Sequence, residues 1–278
     1  MADDEIDELL ERLAREAMPP TARISYGEAP SQFGDLRLPT DGSAGPWPVA
    51  IMVHGGYWRV RYDGSSYGAI AGALTTFGIA TWNIEYRRLG EPGGGWPGTF
   101  EDVADAADSL RGLAERYPLD LSRVVTLGHS AGGHLALWLA ARPRLPMNSP
   151  LWRPDSLPIS GVVSLAGVAN LRRAWELRLS DTVVEKLLDG APKQVPARYD
   201  DCSPFELLPL CVPQAMLHGT IDDIVPFEIS AGYVERARSL GDNARLLPLE
   251  GCGHFEVIDP STAAWRDVAQ ATRALIGS

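Results

Sequence analysis

Several residue types and patterns are scarce in this chain of 278 residues, and each scarcity excludes a class of protein. Cys202, Cys211 and Cys252 are its three cysteines, too few for a disulfide framework and typical of a reducing compartment. No apolar run approaches the roughly 20 residues that a membrane span needs, so we expect no membrane partner. Acidic residues outnumber basic ones, and the net charge of -11 argues against a nucleic-acid partner.

The beginning of the chain is acidic and amphipathic, whereas a secretory signal peptide begins basic and continues with an apolar block. Together with the cysteines, this predicts a cytoplasmic protein. Residues 1–20 are predicted to form an amphipathic helix with an apolar stripe. The stripe consists of Ile6, Leu9, Leu10 and Leu13. We expect it to pack on the rest of the chain, and a second subunit, in a homodimer, is the alternative partner.

Glycine loops of the nucleotide-binding type and clusters of side chains with metal-ligand spacing are also missing. We therefore expect neither a metal nor another cofactor. The chemistry should come from the side chains alone, acting on a small molecule.

The most informative motif that is present is Gly-His-Ser-Ala-Gly at residues 128–132. The apolar residues 124–127 predict a buried strand before it, and residues 134–141 predict a helix after it. A serine between two glycines in a strand-turn-helix setting is typical of a nucleophile elbow. The motif predicts that Ser130 is a catalytic nucleophile.

A serine nucleophile requires a histidine as base and a carboxylate that orients it. On sheets of this type the order along the chain is serine, acid, histidine. His254 follows the strand predicted at residues 244–249 and lies in a glycine-containing loop, Glu-Gly-Cys-Gly-His-Phe at residues 250–255, as a catalytic loop histidine would. The other histidines, which we interpret as structural, are His54, His129, His134 and His218.

The acid is one of two adjacent aspartates that follow the strand predicted at residues 213–217. Two neighbouring side chains cannot both face the histidine. We assign Asp222, which comes first after the turn, and leave Asp223 to cap the helix predicted to begin near Pro226. The reverse assignment stays open on the sequence alone.

An oxyanion hole should accompany these groups, because acyl transfer places negative charge on a carbonyl oxygen. The N–H of Ala131, directly after the nucleophile, is one predicted donor. The strand at residues 49–53 leads into His-Gly-Gly-Tyr-Trp at residues 54–58, whose glycines allow the backbone to approach a substrate. This turn is predicted to supply further donors.

The remaining pattern alternates apolar strands with helices, which predicts a mostly parallel, doubly wound α/β sheet with helices on both faces. Further strands are predicted at residues 79–84 and 161–165, and an antiparallel entry at 23–26 and 35–38. Further helices are predicted at residues 100–117, 229–240 and 261–276. We expect residues 21–278 to form one domain. A lid-like insertion is predicted at residues 170–209, with helical stretches at 171–177 and 181–188.

From about Arg23 onward the chain resembles the α/β-hydrolase superfamily. The turn at residues 54–58, the Glu-Tyr-Arg-Arg segment at 85–88 and the elbow resemble the esterase/lipase branch, especially the arylformamidase (kynurenine formamidase) group. The resemblance implies a triad and an oxyanion hole at the matching positions. The triad would be Ser130, Asp222 and His254, and the oxyanion donors Gly56, Tyr57 and Ala131, with Gly55 a further candidate.

One departure from the hormone-sensitive-lipase branch is informative, because that branch has a third glycine where this chain has Tyr57. A bulky ring beside the acyl pocket argues against a generic lipase. We predict an aromatic-lined substrate pocket, and its side chains would be Tyr57, Trp58, Trp96 and Trp175.

These predictions describe a serine hydrolase that cleaves an ester, amide or formamide of a small aromatic molecule through an acyl-enzyme. A dipeptidyl-peptidase-like amidase is the enzymatic alternative. A ligand receptor on the same fold, without activity, is the alternative that is not an enzyme.

Overall fold

Strands and helices alternate along the chain in a computed structural model that describes residues 3–40 and 42–277. Met1, Ala2, Asp41 and Ser278, which fall within the predicted helix 1–20 and domain 21–278, lie outside the described residues. The strands are β1 (Ala22–Ser25), β2 (Phe33–Arg37), β3 (Trp47–Val53), β4 (Ala80–Ile84), β5 (Leu119–His129), β6 (Gly161–Leu165), β7 (Gln214–Gly219) and β8 (Ala244–Leu249). The helices are α1 (Asp3–Glu16), α2 (Gly68–Thr75), α3 (Gly98–Asp108), α4 (Leu110–Ala114), α5 (Ala131–Ala141), α6 (Leu171–Glu176), α7 (Leu179–Leu188), α8 (Pro196–Cys202), α9 (Phe227–Ser239) and α10 (Ala264–Ile276).

Within the described residues the strands form one sheet in the order β1-β2-β4-β3-β5-β6-β7-β8. β2 pairs with β1 and β4 in antiparallel orientation, and all other pairs are parallel. β4, β6 and β7 are buried at every residue, because helices cover both faces of the sheet. The predicted mostly parallel sheet and its antiparallel entry are confirmed.

Alternate side chains of the central strands enter two separate apolar clusters. Along β3, Val49 and Ile51 join one cluster with α3, α5, α7 and α9, whereas Ala50 and Met52 join the other with α1, α2 and α10. A strand presents successive side chains to opposite faces, so these clusters are the two layers of the core.

The helix predicted at residues 100–117 is two helices, and this part of the prediction is wrong. α3 ends at Asp108 and the short α4 spans Leu110–Ala114. Between them, the hydroxyl of Ser109 donates a hydrogen bond to the carbonyl of Ala106 at 2.7 Å. A serine hydroxyl bound to a carbonyl of its own helix competes with the backbone and bends the helix.

The insertion at residues 170–209 contains α6, α7 and α8. The prediction of a helix from Asp181 is wrong at its start, because residues 180–182 have left-handed φ values between 44° and 58°. Arg59, from the segment after β3, donates to the carbonyl of Ser180 at 2.7 Å and so ties this irregular stretch to the body of the domain.

No helix within residues 3–40 and 42–277 is both long and apolar enough to cross a lipid bilayer.

Candidate active site

The elbow at Ser130 forms where β5 ends and α5 begins, and its backbone is strained. Ser130 has φ 55° and ψ -120°, a conformation that costs a non-glycine residue about 1–3 kcal/mol. The flanking glycines make this turn possible. A Cβ at Gly128 would lie 2.1 Å from the carbonyl oxygen of Gly132, and one at Gly132 would lie 2.0 Å from that of Val53. The motif therefore holds the serine at the end of the central strand.

His254 and Asp222 meet in the loops that follow β8 and β7. The Nδ1 of His254 donates to Oδ2 of Asp222 at 2.6 Å, and both side chains are buried. The other carboxylate oxygen of Asp222 accepts the N–H groups of Ile224 at 2.9 Å and Val225 at 2.8 Å. These bonds fix the carboxylate and leave Nε2 as the ring nitrogen of His254 that faces away from it.

The structure separates the two adjacent aspartates. Asp222 is the aspartate whose carboxylate is hydrogen-bonded to His254. The prediction that Asp223 is the cap residue of the following helix is wrong, since α9 begins at Phe227 and Pro226 occupies the cap position. Proline at this position fixes the backbone at the helix start without a side-chain acceptor.

His218 also contacts the acid, which the sequence interpretation as a structural histidine missed. Its Nε2 lies 3.2 Å from Oδ2 of Asp222 and donates to the carbonyl of Val225 at 2.9 Å. The hydroxyl of Ser230 donates to Nδ1 at 2.7 Å and fixes the tautomer. A signal was present in the sequence: His218 is the penultimate residue of the strand that leads into the acidic turn.

These contacts decide the ionisation of Asp222. Burial raises the pKa of this carboxyl, but the hydrogen bonds from His218 and His254 outweigh burial and hold the pKa well below its usual range. Asp222 is therefore an anion at neutral pH, suited to orienting an imidazole and to stabilising an imidazolium.

The turn after β3 lies against the elbow. A Cβ at Gly55 would lie 2.9 Å from the carbonyl oxygen of His129 and 3.2 Å from Cβ of Ser130. Gly56 and Tyr57 both have positive φ, 103° and 51°. Their N–H groups donate to no protein acceptor among the described residues, so both are available to a ligand. Ala131 begins α5, where the first N–H has no partner within the helix.

A buried charge network holds this turn in place. Nε2 of His54 lies 2.8 Å from Oε1 of Glu85, which Arg88 approaches at 3.2 Å. Burial raises the pKa of Glu85, but the attraction of His54 and Arg88 prevails and lowers it. The Tyr86 ring stacks on His54 at 4.5 Å, and its hydroxyl donates to the His54 carbonyl at 2.9 Å. The sequence alone connects residues 85–88 with the turn at residues 54–58 only through the family resemblance, and it does not predict the contacts between them.

The two remaining histidines differ in position. Burial lowers the pKa of His134 to about 4, and its Nε2 donates to the carbonyl of Cys202 at 2.8 Å, which ties α5 to α8. His129 donates from Nε2 to the carbonyl of His254 at 2.8 Å, and its pKa is held well below the usual range by burial and by the neighbouring His254. His129 thus positions the loop of His254.

A cavity of about 630 Å³ opens above Ser130 and His254. Rings from several elements line it, namely those of His54, Tyr57, Tyr62, Tyr67, His129 and Phe255. The hydroxyl of Tyr57 donates to the carbonyl of Ile224 at 3.1 Å, in the loop of the acid. Burial and the nearby charge of Asp222 raise the pKa of Tyr57 to about 12, so the ring stays neutral.

Three members of the predicted substrate pocket lie elsewhere, and this prediction is wrong for them. Trp58 is fully buried in the core, edge-on to His134 at 5.2 Å, because positive φ at two consecutive residues turns its ring inward while Tyr57 faces the cavity. Arg198 covers the Trp96 ring at 3.9 Å. Trp175 donates to Glu185 at 2.9 Å within the insertion. Of the predicted pocket residues, the structure keeps Tyr57 at the cavity.

Comparisons with known proteins agree with this architecture. A family model described as BD-FAE matches residues 35–236, well over half of the chain. Esterase LipC of Mycobacterium tuberculosis is 29% identical over 253 residues, which are 85% of this chain and 60% of LipC. A rice protein (Oryza sativa subsp. japonica) described as probable isoprenylcysteine alpha-carbonyl methylesterase ICME is 29% identical over 250 residues, 84% of this chain and 58% of that protein. The chain thus spans about three fifths of the length of these curated relatives.

Among solved structures, an inhibited esterase B from Lactobacillus rhamnosis superposes with a TM-score of 0.81 at 18% identity, covering 98% of this chain and 93% of that one. At that identity the similarity establishes the fold. The sheet, the elbow and the match to the family model lead to one conclusion: this chain has the α/β-hydrolase fold and belongs to the BD-FAE family.

Proposed function

We propose that this protein is a serine carboxylesterase that hydrolyses small esters in the cavity above Ser130. The observation that carries the proposal is the bond of 2.6 Å between His254 and an ionised Asp222, with His254 and Ser130 on the wall of one cavity. The two relatives named above are described as esterases, and this supports the same reaction class.

Acylation begins when the Ser130 hydroxyl attacks the carbonyl carbon of the ester. Nε2 of His254 takes the serine proton, since Nδ1 is already bound to Asp222. The carbonyl oxygen becomes negative and accepts hydrogen bonds from the N–H groups of Gly56, Tyr57 and Ala131. In comparable sites one such donor stabilises the transition state by about 3–4 kcal/mol. The bond to the leaving oxygen then breaks, and His254 returns its proton to the departing alcohol.

Deacylation repeats the same steps with water. His254 removes a proton from water, the hydroxide attacks the acyl carbon, and the same N–H groups hold the second oxyanion. The bond to Ser130 breaks, and Ser130 regains its proton from His254. The products are a carboxylic acid and the free enzyme.

For the substrate we propose a compact, aromatic-bearing ester, with an aryl formamide as the second candidate. The cavity favours a flat group, because six rings besides that of His254 line it and the Tyr57 ring narrows it beside the turn. An arylformamide uses the same carbonyl chemistry with an amine as leaving group. N-formylkynurenine beside short p-nitrophenyl esters separates these two substrates by their relative kcat/KM.

The experiment that tests the proposed reaction is covalent labelling with a p-nitrophenyl phosphonate. A serine esterase releases one equivalent of p-nitrophenol and gains the phosphonyl mass on the peptide that contains Ser130. Ser130→Ala should abolish the label, the burst with p-nitrophenyl butyrate and turnover. Ser66→Ala, at another serine on the cavity wall, should still be labelled.

Other outcomes would redirect the proposal. Turnover by Ser130→Ala that equals the wild type would overturn it. Cleavage of dipeptide amides with no cleavage of esters would favour the dipeptidyl-peptidase-like alternative. Reversible binding of the ester without p-nitrophenol release would favour a receptor.

A further inference from the structure

Helix α1 contributes to the same cavity as the nucleophile. Ile6, Leu10 and Ala14 line the cavity, together with the acidic Asp7 and Glu11 beside them. Residues four apart lie one above the other on a helix, so these five side chains form two adjacent ridges on one face.

The other side of α1 is attached to the domain. Leu13 is fully buried against α2, and Leu9 packs into the same apolar cluster without lining the cavity. Leu10 packs on that cluster as well, but it also lines the cavity. The apolar stripe of α1 therefore contains residues that only hold the helix in place and residues that also reach the space where a substrate must lie.

Close backbone contact and a hydrogen bond fix the end of α1 at this place. A Cβ at Gly68 would lie 2.5 Å from Cβ of Ala17, and one at Gly72 would lie 2.8 Å from Cβ of Met18, so two glycines of α2 make room for the chain that leaves α1. Arg37 donates to the carbonyl of Met18 at 2.8 Å.

Two ion pairs also tie the helix to segments beside the catalytic residues. Asp7 pairs with Arg61 at 2.7 Å, on the segment that follows the oxyanion turn. Arg12 pairs with Asp259, a few residues after His254. Through these pairs α1 spans the cavity from the oxyanion side to the base side.

We propose that α1 is the element that limits substrate size in this enzyme, with Leu10 and Ala14 as specificity-determining residues. The far end of an uncharged acyl or alcohol group would contact the apolar ridge of Ile6, Leu10 and Ala14, and the ridge would limit the length of that group. Larger side chains on the ridge exclude longer groups, and smaller ones admit them. The preferred substrates are compact, uncharged esters. This inference rests on the proposed hydrolysis at Ser130.

The test compares Leu10→Ala and Ala14→Leu with Leu9→Ala as a matched control on the same helix. Each variant is assayed on two ester series. One is p-nitrophenyl acetate through decanoate, and the other is phenylacetate esters of alcohols of increasing length. The measured quantity is the ratio of kcat/KM for the longest to the shortest ester, which is internal to each variant and independent of the folded fraction.

We expect Leu10→Ala to raise this ratio by about fivefold or more in at least one series, and Ala14→Leu to lower it by a similar factor, since a methylene in an apolar pocket changes kcat/KM by roughly 10-fold or more. Leu9→Ala should leave the ratio within about twofold of the wild type, because its side chain lies outside the pocket. If Leu10→Ala and Ala14→Leu both give the same length ratios as Leu9→Ala in both ester series, the proposed role of α1 is overturned.

The two proposals fail differently. If Ser130→Ala hydrolyses the short ester as the wild type does, the proposed function fails. If Ser130→Ala is inactive and the length ratios do not move, the esterase stands and the size limit lies on another wall of the cavity.

Discussion

The two sides of the cavity differ in how they are built. On one side, Ser130, Asp222 and His254 stand at the ends of three parallel strands, and hydrogen bonds within and between the loops that follow these strands hold the acid and the base. On the other side, α1 closes the space by packing and ion pairs between segments far apart in the chain. The strand side should set the rate of reaction, and the helix side should set stability and selectivity.

The largest expected effect tests the strand side. Asp222→Asn keeps the shape of the side chain but removes the charge that orients His254, and kcat should fall by about ten-thousandfold. Steady-state kinetics with a short ester measures the loss. Asp223→Asn is the matched control at the adjacent position, and we expect it to retain kcat within about threefold. A larger loss in Asp223→Asn than in Asp222→Asn would reverse the assignment of the acid.

The second effect on the strand side concerns the stability of the fold at low pH, and it depends on His218. The pKa of Asp222 is depressed in the folded protein, so its contribution to stability is complete above its unfolded pKa of about 4 and is lost as pH falls below that value. His218→Leu removes one donor and lessens the depression. Below about pH 3 the folded variant begins to protonate Asp222 while the folded wild type does not. We therefore expect the unfolding free energy of the variant to drop less than that of the wild type between about pH 3 and pH 1.5, measured by urea denaturation.

His218→Gln tests whether the donor itself is responsible, because a glutamine amide can donate to Asp222. It should restore part of the acid-dependent drop that His218→Leu removes. Identical pH profiles for the wild type and His218→Leu would contradict a role for His218 in holding the acid.

Stability of the helix side depends on the close approach of the chain after α1 to α2. Gly72→Ala should lower the unfolding free energy by about 1–3 kcal/mol, because its Cβ would meet Met18 at 2.8 Å and a packed contact must shift. Gly112→Ala, a helical position in open space, should be neutral or stabilise by up to about 1 kcal/mol. Equal effects of the two substitutions on the urea midpoint would show that α1 is not closely docked.

The smallest expected effect is at the ion pair between α1 and the segment after β3. Arg61→Gln removes the pair with Asp7, whose two side chains are about half exposed, and such pairs contribute about 0–1 kcal/mol. We expect little change in the urea midpoint and less than about a threefold change in kcat/KM for a short ester at moderate salt. A tenfold loss of kcat/KM would mean that this pair, and not apolar packing, holds the cavity wall.

Much of the strand side could be predicted from the sequence, because its signals are local. The glycines of the elbow and of the turn at His54 mark positions where a Cβ cannot fit, and the order of strands fixes where the acid and base loops must lie. The choice between Asp222 and Asp223 needed the structure, since adjacent residues have nearly the same sequence signal.

The helix side could not be predicted in the same way, because its contacts join distant segments. The insertion at residues 170–209, predicted as a lid, brings Ser180 to the cavity among the described residues, whereas the N-terminal helix brings five side chains. The apolar stripe of α1 shows that it packs on something, but a periodic pattern does not name its partner. Likewise Tyr57 and Trp58 are both aromatic, and only the backbone geometry shows that the Tyr57 ring faces the cavity and the Trp58 ring faces the core.

The segment after β3 connects the selection of substrates by size with the kinetic constants in which that selection would be measured. Arg59 reaches the insertion at Ser180, Arg61 reaches α1 at Asp7, and the same segment begins with the N–H groups of Gly56 and Tyr57. If α1 limits substrate size as proposed, an ester that displaces α1 would also disturb the packing around this segment, and with it the backbone that must receive the oxyanion. Oversized substrates would bind and still turn over slowly, so that discrimination is visible in kcat and not in KM alone.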